Sequence, residues 1–76
     1  MYLEVSSNGN TFIFFSPDAV FYRQDSHKLV VITSGERFEF NGVSLRLWGK
    51  FFEEVGPDAK LFIDIDNQKV GRVGVD

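Results

Sequence analysis

Apolar and polar residues alternate through most of the first forty positions of this chain, a pattern typical of β-strands. Residues 2–6 and 11–15 flank Asn8-Gly9, a pair favoured in two-residue hairpin turns because both central positions need a positive φ. With that turn, one face of the hairpin carries four apolar side chains: Leu3, Val5, Phe12 and Phe14. Ile13 and Phe15 then point to the opposite face. The sequence therefore predicts a first hairpin with apolar residues on both faces.

A second hairpin is predicted around Ser34-Gly35, and one further strand precedes it. The three strands span residues 19–24, 28–33 and 36–40. One face of this hairpin would carry apolar cross-strand pairs, Leu29 with Phe40 and Val31 with Phe38. The reverse face would carry two mixed pairs, Val30 with Glu39 and Ile32 with Arg37.

The spacing of apolar residues becomes helical between positions 41 and 55. An apolar stripe recurs every fourth residue, at Val43, Leu47, Phe51 and Val55. Asn41 is the predicted N-cap, because its side-chain oxygen can accept a hydrogen bond from a free amide of the first turn. Gly56-Pro57 would end the helix, since proline cannot continue the hydrogen-bond ladder. We therefore predict one amphipathic helix over residues 41–55.

A C-terminal hairpin is predicted from residues 60–66, which alternate again, and from a strand at 70–75. A three-residue loop between them would set Ile63 opposite Val73. The order of five strands, one helix and two strands indicates a single α+β domain over residues 1–76. We predict an antiparallel β meander with the helix packed on one face, completed by the C-terminal β hairpin. The alternative is a small, partly open β barrel capped by the helix.

One helix covers only one face of a sheet, so a second apolar face remains to be explained. Its centre is apolar and its margin is charged, and we predict that it is a protein interface. The predicted interface residues are Ile13, Phe15, Val30, Ile32, Arg37 and Glu39. A barrel that closed on itself would hide the same residues.

Composition and charge narrow the classes of function. The net charge is −3, with eight basic residues scattered singly among eleven acidic ones, so we expect no nucleic-acid partner. There is no cysteine, which leaves no disulfide and no cysteine-based zinc site. No apolar run has the length of a membrane span, and the first residues lack the layout of a signal peptide. We therefore expect a cytoplasmic protein that does not enter a membrane.

Few residues are candidates for chemistry. His27 is the only histidine and falls in a polar turn, where we expect no catalytic role. Asp64 and Asp66 would point to the same side of a strand and could hold magnesium or calcium, but solvent-facing charges beside a turn are the preferred interpretation. We therefore predict a protein that is not an enzyme and has no cofactor, no metal and no small-molecule substrate.

The function favoured by these patterns is that of a small non-catalytic protein-binding module. It would self-associate or dock on a larger protein as an adaptor or inhibitor, and a phage-type inhibitor of a host machine is one form this could take. The alternative is single-stranded nucleic-acid binding, in which the sheet aromatics Phe15, Tyr22 and Phe62 stack against bases.

Overall fold

The computed structural model describes residues 1–74 and shows seven strands and one helix along them. In chain order these are β1 (Tyr2–Ser7), β2 (Asn10–Phe15), β3 (Ala19–Arg23), β4 (Lys28–Thr33), β5 (Glu36–Phe40), α1 (Leu45–Glu54), β6 (Lys60–Asp64) and β7 (Lys69–Arg72). The predicted α+β class is confirmed, with its early hairpins, one helix and C-terminal hairpin.

The strands form two sheets, and neither closes into a barrel. Sheet A has the order β2-β1-β6-β7, and sheet B has the order β3-β4-β5. All neighbours are antiparallel except β1 and β6, which run parallel. The chain changes sheets between β2 and β3, where Ser16 takes a φ of +47° and donates its amide to the carbonyl of Met1. Asp18 then donates its amide to the carbonyl of Ile32 in sheet B.

The two tight turns have the predicted conformation and set the predicted registers. Asn8 and Gly9 have φ angles of +54° and +79°, as a two-residue turn of this hand requires. Val5 accordingly lies opposite Phe12, and the Ser34-Gly35 turn likewise sets Val31 opposite Phe38.

The C-terminal hairpin has a different register from the predicted one. Ile63 lies opposite Val70, not Val73, because the connection contains four residues instead of three. Gln68, at a φ of +53°, folds this connection back, since its side-chain amide donates to the carbonyl of Ile65. Of the strand predicted at 70–75, Val75 lies outside the described residues.

The helix begins four residues later than predicted, and its N-cap is Ser44 instead of Asn41. The Ser44 hydroxyl oxygen accepts a hydrogen bond of 3.1 Å from the amide of Leu47. The amide of Val43 is bonded to the carbonyl of His27, which holds the preceding residues in a connection and out of the helix.

Both sheets and the helix enclose one apolar core. It is centred on residues with no more than 2% of their surface exposed: Leu3, Val5, Leu29, Val31, Val43, Leu47, Phe51, Leu61 and Ile63. The phenyl rings of β2 and β5 meet edge to face across the two sheets, with 5.2 Å between the centroids of Phe14 and Phe38. The apolar stripe of the helix is therefore confirmed as part of the core, except that Val55 remains partly exposed. The apolar face of the first hairpin also lies in the core, except that Phe12 remains partly exposed.

Candidate protein interface

The six predicted interface residues are divided between the two sheets. Ile13 and Phe15 lie on the outer face of sheet A, whereas Val30, Ile32, Arg37 and Glu39 lie on the outer face of sheet B. The prediction that they share one face is wrong, although both registers behind it are right, because the chain changes sheets between the two hairpins. Their role in binding a protein stays a prediction.

The outer face of sheet B is covered by its own side chains. Val30 is completely buried there, between Phe21 on β3 and Glu39 on β5. Arg37 Nε donates to Glu39 Oε2 at 2.7 Å, and its guanidinium lies 5.8 Å from the centroid of the Phe21 ring. Lys28 Nζ donates to the other oxygen of Glu39 at 3.2 Å. These side chains cover Val30 completely, so Val30 offers no surface to a partner.

The electrostatics of that face centre on one carboxylate. Hydrogen bonds from Arg37 and then Lys28 hold the pKa of Glu39 below its ordinary value. The carboxylate is therefore charged and has cations on both of its oxygens. Groups already paired in this way offer few free hydrogen bonds to another protein.

The outer face of sheet A, in contrast, is open. Phe15 is 73% exposed and Ile13 is 51% exposed. The ring of Phe15 meets the ring of Tyr2 edge to face, with 5.3 Å between centroids. Phe62 lies on the same face, separated from Ile13 by Glu4 in one cross-strand row. We call Tyr2, Ile13, Phe15 and Phe62 the sheet A patch.

The polar group within the sheet A patch is internally paired. The Tyr2 hydroxyl donates to Glu4 Oε2 at 2.8 Å. This hydrogen bond, with smaller contributions from desolvation and from the Glu4 charge, raises the pKa of Tyr2. One carboxylate oxygen of Glu4 thus accepts a hydrogen bond from within the patch, and the Tyr2 hydroxyl is a polar group among apolar side chains.

Gly71 fixes the position of one ring of the patch. The ring of Phe62 lies over this glycine, so that a Cβ at position 71 would be 2.7 Å from Phe62 Cε1. An aromatic ring laid over a strand glycine in this way compensates for the missing side chain. The sequence signal for this contact, a glycine within a predicted strand, does not identify the ring that covers it.

β2 supplies a free backbone edge beside the sheet A patch. It is an edge strand, and its six residues, NTFIFF, include no charge. The two-residue turn bonds Val5 to Phe12, so the amide and carbonyl groups of Thr11, Ile13 and Phe15 point away from β1. The other edge strands carry the charges that normally discourage strand pairing: Arg23 on β3, Glu36, Arg37 and Glu39 on β5, and Lys69 and Arg72 on β7. Among the edge strands, β2 alone carries no charged residue within the described part of the chain.

The carboxylates considered as a metal site serve the turns instead. Asp66 accepts from the amides of Asn8 and Gly9, at 2.8 and 2.9 Å, one on each oxygen. Asp64 accepts from the backbone and the side chain of Asn67, and the side-chain hydrogen bond lowers the pKa of Asp64. Within residues 1–74 no group of three or more His, Cys, Asp or Glu is placed to hold a metal ion.

His27 also has a local structural position. It has a φ of +55° in the turn between β3 and β4, and its Nδ1 lies 3.2 Å from the hydroxyl oxygen of Tyr22. That hydroxyl donates to the carbonyl of Val43 at 2.8 Å. The contact therefore ties this turn to the residue before the helix N-cap.

A second apolar surface lies along one side of α1, and the sequence analysis did not single it out. Leu45 and Phe52 are 52% and 67% exposed, at the helical spacing that brings them to either side of Trp48. Trp48 stacks on Tyr22 with 5.4 Å between centroids. The helix has no free backbone edge to offer, so this strip provides side-chain contacts alone.

Within residues 1–74 no helix is long and apolar enough to cross a membrane. The chain matches no protein-family model, and comparison with curated proteins and with solved structures likewise gives no significant match.

Proposed function

We propose that this protein is a small non-catalytic protein-binding module that uses the sheet A patch and the adjoining edge of β2 as its contact surface. The observation that carries the proposal is the uncharged edge strand whose outward side chains, Ile13 and Phe15, are more than half exposed. Exposed apolar surface beside a free strand edge is the combination on which strand addition depends. The module would act in the cytoplasm by self-association or by docking on a larger protein, as an adaptor or inhibitor.

The energetics favour this surface over the others. Full burial of a Phe or Ile side chain contributes about 1.5–3 kcal/mol, and most of that remains to be gained at Phe15. Backbone hydrogen bonds along β2 would fix the direction and register of the partner strand. On sheet B the apolar layer is already covered by Arg37 and Glu39, so less is gained there.

The sheet aromatics support the nucleic-acid alternative less well. Bases that stacked on Phe15 and Phe62 would place their phosphates near the carboxylates of Glu4 and Asp64, which lie on the same outer face. Lys60 and Lys69 also lie there, but the signs are interspersed and form no basic groove.

The test compares two exposed phenylalanines. Immobilised wild type, Phe15→Lys and Phe52→Lys would each capture proteins from a lysate of the source organism, with mass spectrometry as the readout. Phe15 and Phe52 have similar exposure, 73% and 67%, so neither change disturbs the core. We expect a protein retained by wild type and by Phe52→Lys and lost with Phe15→Lys. Equal retention by all three, in variants with unchanged circular dichroism, would exclude the sheet A patch as the binding surface.

A further inference from the structure

We infer that the strand that adds to β2 comes from a second copy of this chain, paired antiparallel about a two-fold axis at Ile13. This inference rests on the proposed function, because it uses the same edge and names its occupant.

The free backbone groups of β2 are self-complementary. The amide and carbonyl groups of Thr11, Ile13 and Phe15 point outward, with Ile13 in the middle. An antiparallel copy centred on Ile13 sets Ile13 opposite the partner's Ile13, and Thr11 opposite the partner's Phe15. Every outward group of one strand then meets an outward group of the other. The two exposed patches also join into one outer face.

Charge places no obstacle to the pairing of β2 with a second copy of itself. A two-fold axis brings any residue near it close to its own copy, so a charge at the centre of such a strand meets a like charge. Each chain carries a net charge of −3, which adds repulsion at longer range. β2 has no charged residue, so no position of the axis along it brings like charges together, whereas an axis at Arg37 or at Glu39 of the β5 edge would do so. Self-pairing at β2 therefore meets no local repulsion between charges.

The geometry also sets where assembly stops. Pairing uses the β2 edge of both copies. The strands at the two ends of the joined sheet are then the β7 strands, which carry Lys69 and Arg72. The product is a closed dimer and not a fibre. A single strand pair is smaller than a standard interface of about 800 Å² per partner, so we expect dissociation in the micromolar range.

The test uses charge placed on the two-fold axis. Sedimentation velocity of wild type from about 1 to about 500 μM should show conversion of monomer to dimer. Ile13→Lys and Ile13→Glu should each weaken self-association at least about 100-fold, because each places like charges opposite one another. Mixed in equal amounts, the two variants should form a heterodimer at concentrations where each alone is monomeric. Ala19→Lys adds the same charge to the exposed edge strand β3 and should dimerise as wild type does.

Each outcome separates this inference from the proposed function. A wild type that stays monomeric to about 500 μM overturns the second copy as occupant, while lysate capture that depends on Phe15 would still support a binding module with another partner. A dimer that survives Ile13→Lys, or a lysine–glutamate mixture that stays monomeric, overturns the two-fold register. If circular dichroism shows that the lysine and glutamate variants of Ile13 are unfolded, Ile13→Pro replaces them in the test. Proline removes the outward amide without breaking a hydrogen bond to β1, and the variant should also be a monomer. The pair Thr11→Lys and Thr11→Glu is not a substitute, because position 11 lies off the axis.

Discussion

The ring of Phe62 lies directly over Gly71, close enough that a Cβ at position 71 would be 2.7 Å from Phe62 Cε1 and 2.8 Å from Phe62 Cζ. The contact joins neighbouring strands at the end of sheet A, where β7 has only four residues. One small residue thus sets both the position of an aromatic ring in the patch and the packing of the last strand.

Gly71→Ala should therefore destabilise the protein by up to about 1 kcal/mol, because the new methyl group displaces the Phe62 ring, which is only partly buried. Urea unfolding measures the change. With Phe62→Ala already present the same substitution should cost much less, since the clash is gone. Equal costs in the two backgrounds would contradict the assigned contact.

Gly49→Ala should have the opposite effect. Gly49 lies in the middle of α1, and nothing lies within 4 Å of where its Cβ would be. Alanine is favoured over glycine inside a helix by about 1 kcal/mol, so thermal unfolding should shift upwards. A lower melting temperature would show that the helix packs against a neighbour at this position.

Asp66→Ala should loosen the first tight turn. The carboxylate accepts from the amides of Asn8 and Gly9, and the loss of these exposed hydrogen bonds should cost about 1 kcal/mol. Hydrogen exchange at those two amides should become faster. Asp58→Ala removes an equivalent charge from the connection before β6 and serves as the control. Unchanged exchange at Asn8 and Gly9 would mean that the turn holds without Asp66.

Acid should weaken the ion pairs on the outer face of sheet B. The pKa of Glu39 is lowered by Arg37 and Lys28, so the ionised carboxylate stabilises the folded state. That contribution is complete above the unfolded-state pKa, about 4.3, and is lost as the pH falls through the lower folded-state pKa. Glu39→Gln should therefore flatten the fall in unfolding free energy below about pH 4.5, and added salt should shrink the difference because the groups are partly exposed. The same acid dependence in wild type and variant would contradict this role, and Glu53→Gln is the matched control.

Single-stranded oligonucleotides should not be retained at concentrations below about 10⁻⁵ M at physiological salt, because the sheet A patch lacks a basic groove. Fluorescence anisotropy with labelled DNA and RNA checks this. Tight binding that was lost with Phe15→Ala and kept with Phe52→Ala would favour the nucleic-acid alternative over the protein interface.

The tight turns show what could be predicted from local sequence. Asn8-Gly9 and Ser34-Gly35 take positive φ angles, and a two-residue loop leaves one register for the strands on either side. The faces assigned to Leu3, Val5 and Val31 followed directly. Such features depend on residues close in sequence, and the structure confirms them.

Pairing between distant strands could not be predicted in the same way. The alternation of residues 60–66 predicts a strand, but nothing in it shows that this strand lies parallel to β1. For the candidate interface, the apolar run at 29–32 is typical of a strand buried on both faces, and Val30 is buried. Its cover comes from the long side chains of neighbouring strands, which bury their stems and leave their charges in water.

The run at 12–15 has the same pattern and a different environment. Phe14 is 6% exposed and Phe15 is 73% exposed, because β2 lies at the edge of its sheet and only its inner face meets the core. Sequence pattern cannot distinguish a strand covered on both faces from one whose outer face is exposed.

The parallel pairing of β1 with β6 has a consequence for the order of folding during synthesis. β1 lies in the interior of sheet A, yet one of its two neighbours is synthesised only after the helix. Loop-closure entropy makes such distant pairing slow, and until it happens the first hairpin has free edges on both strands. We expect chains truncated before about residue 64 to be open to proteolysis and aggregation, because sheet A is complete only once β6 has joined β1.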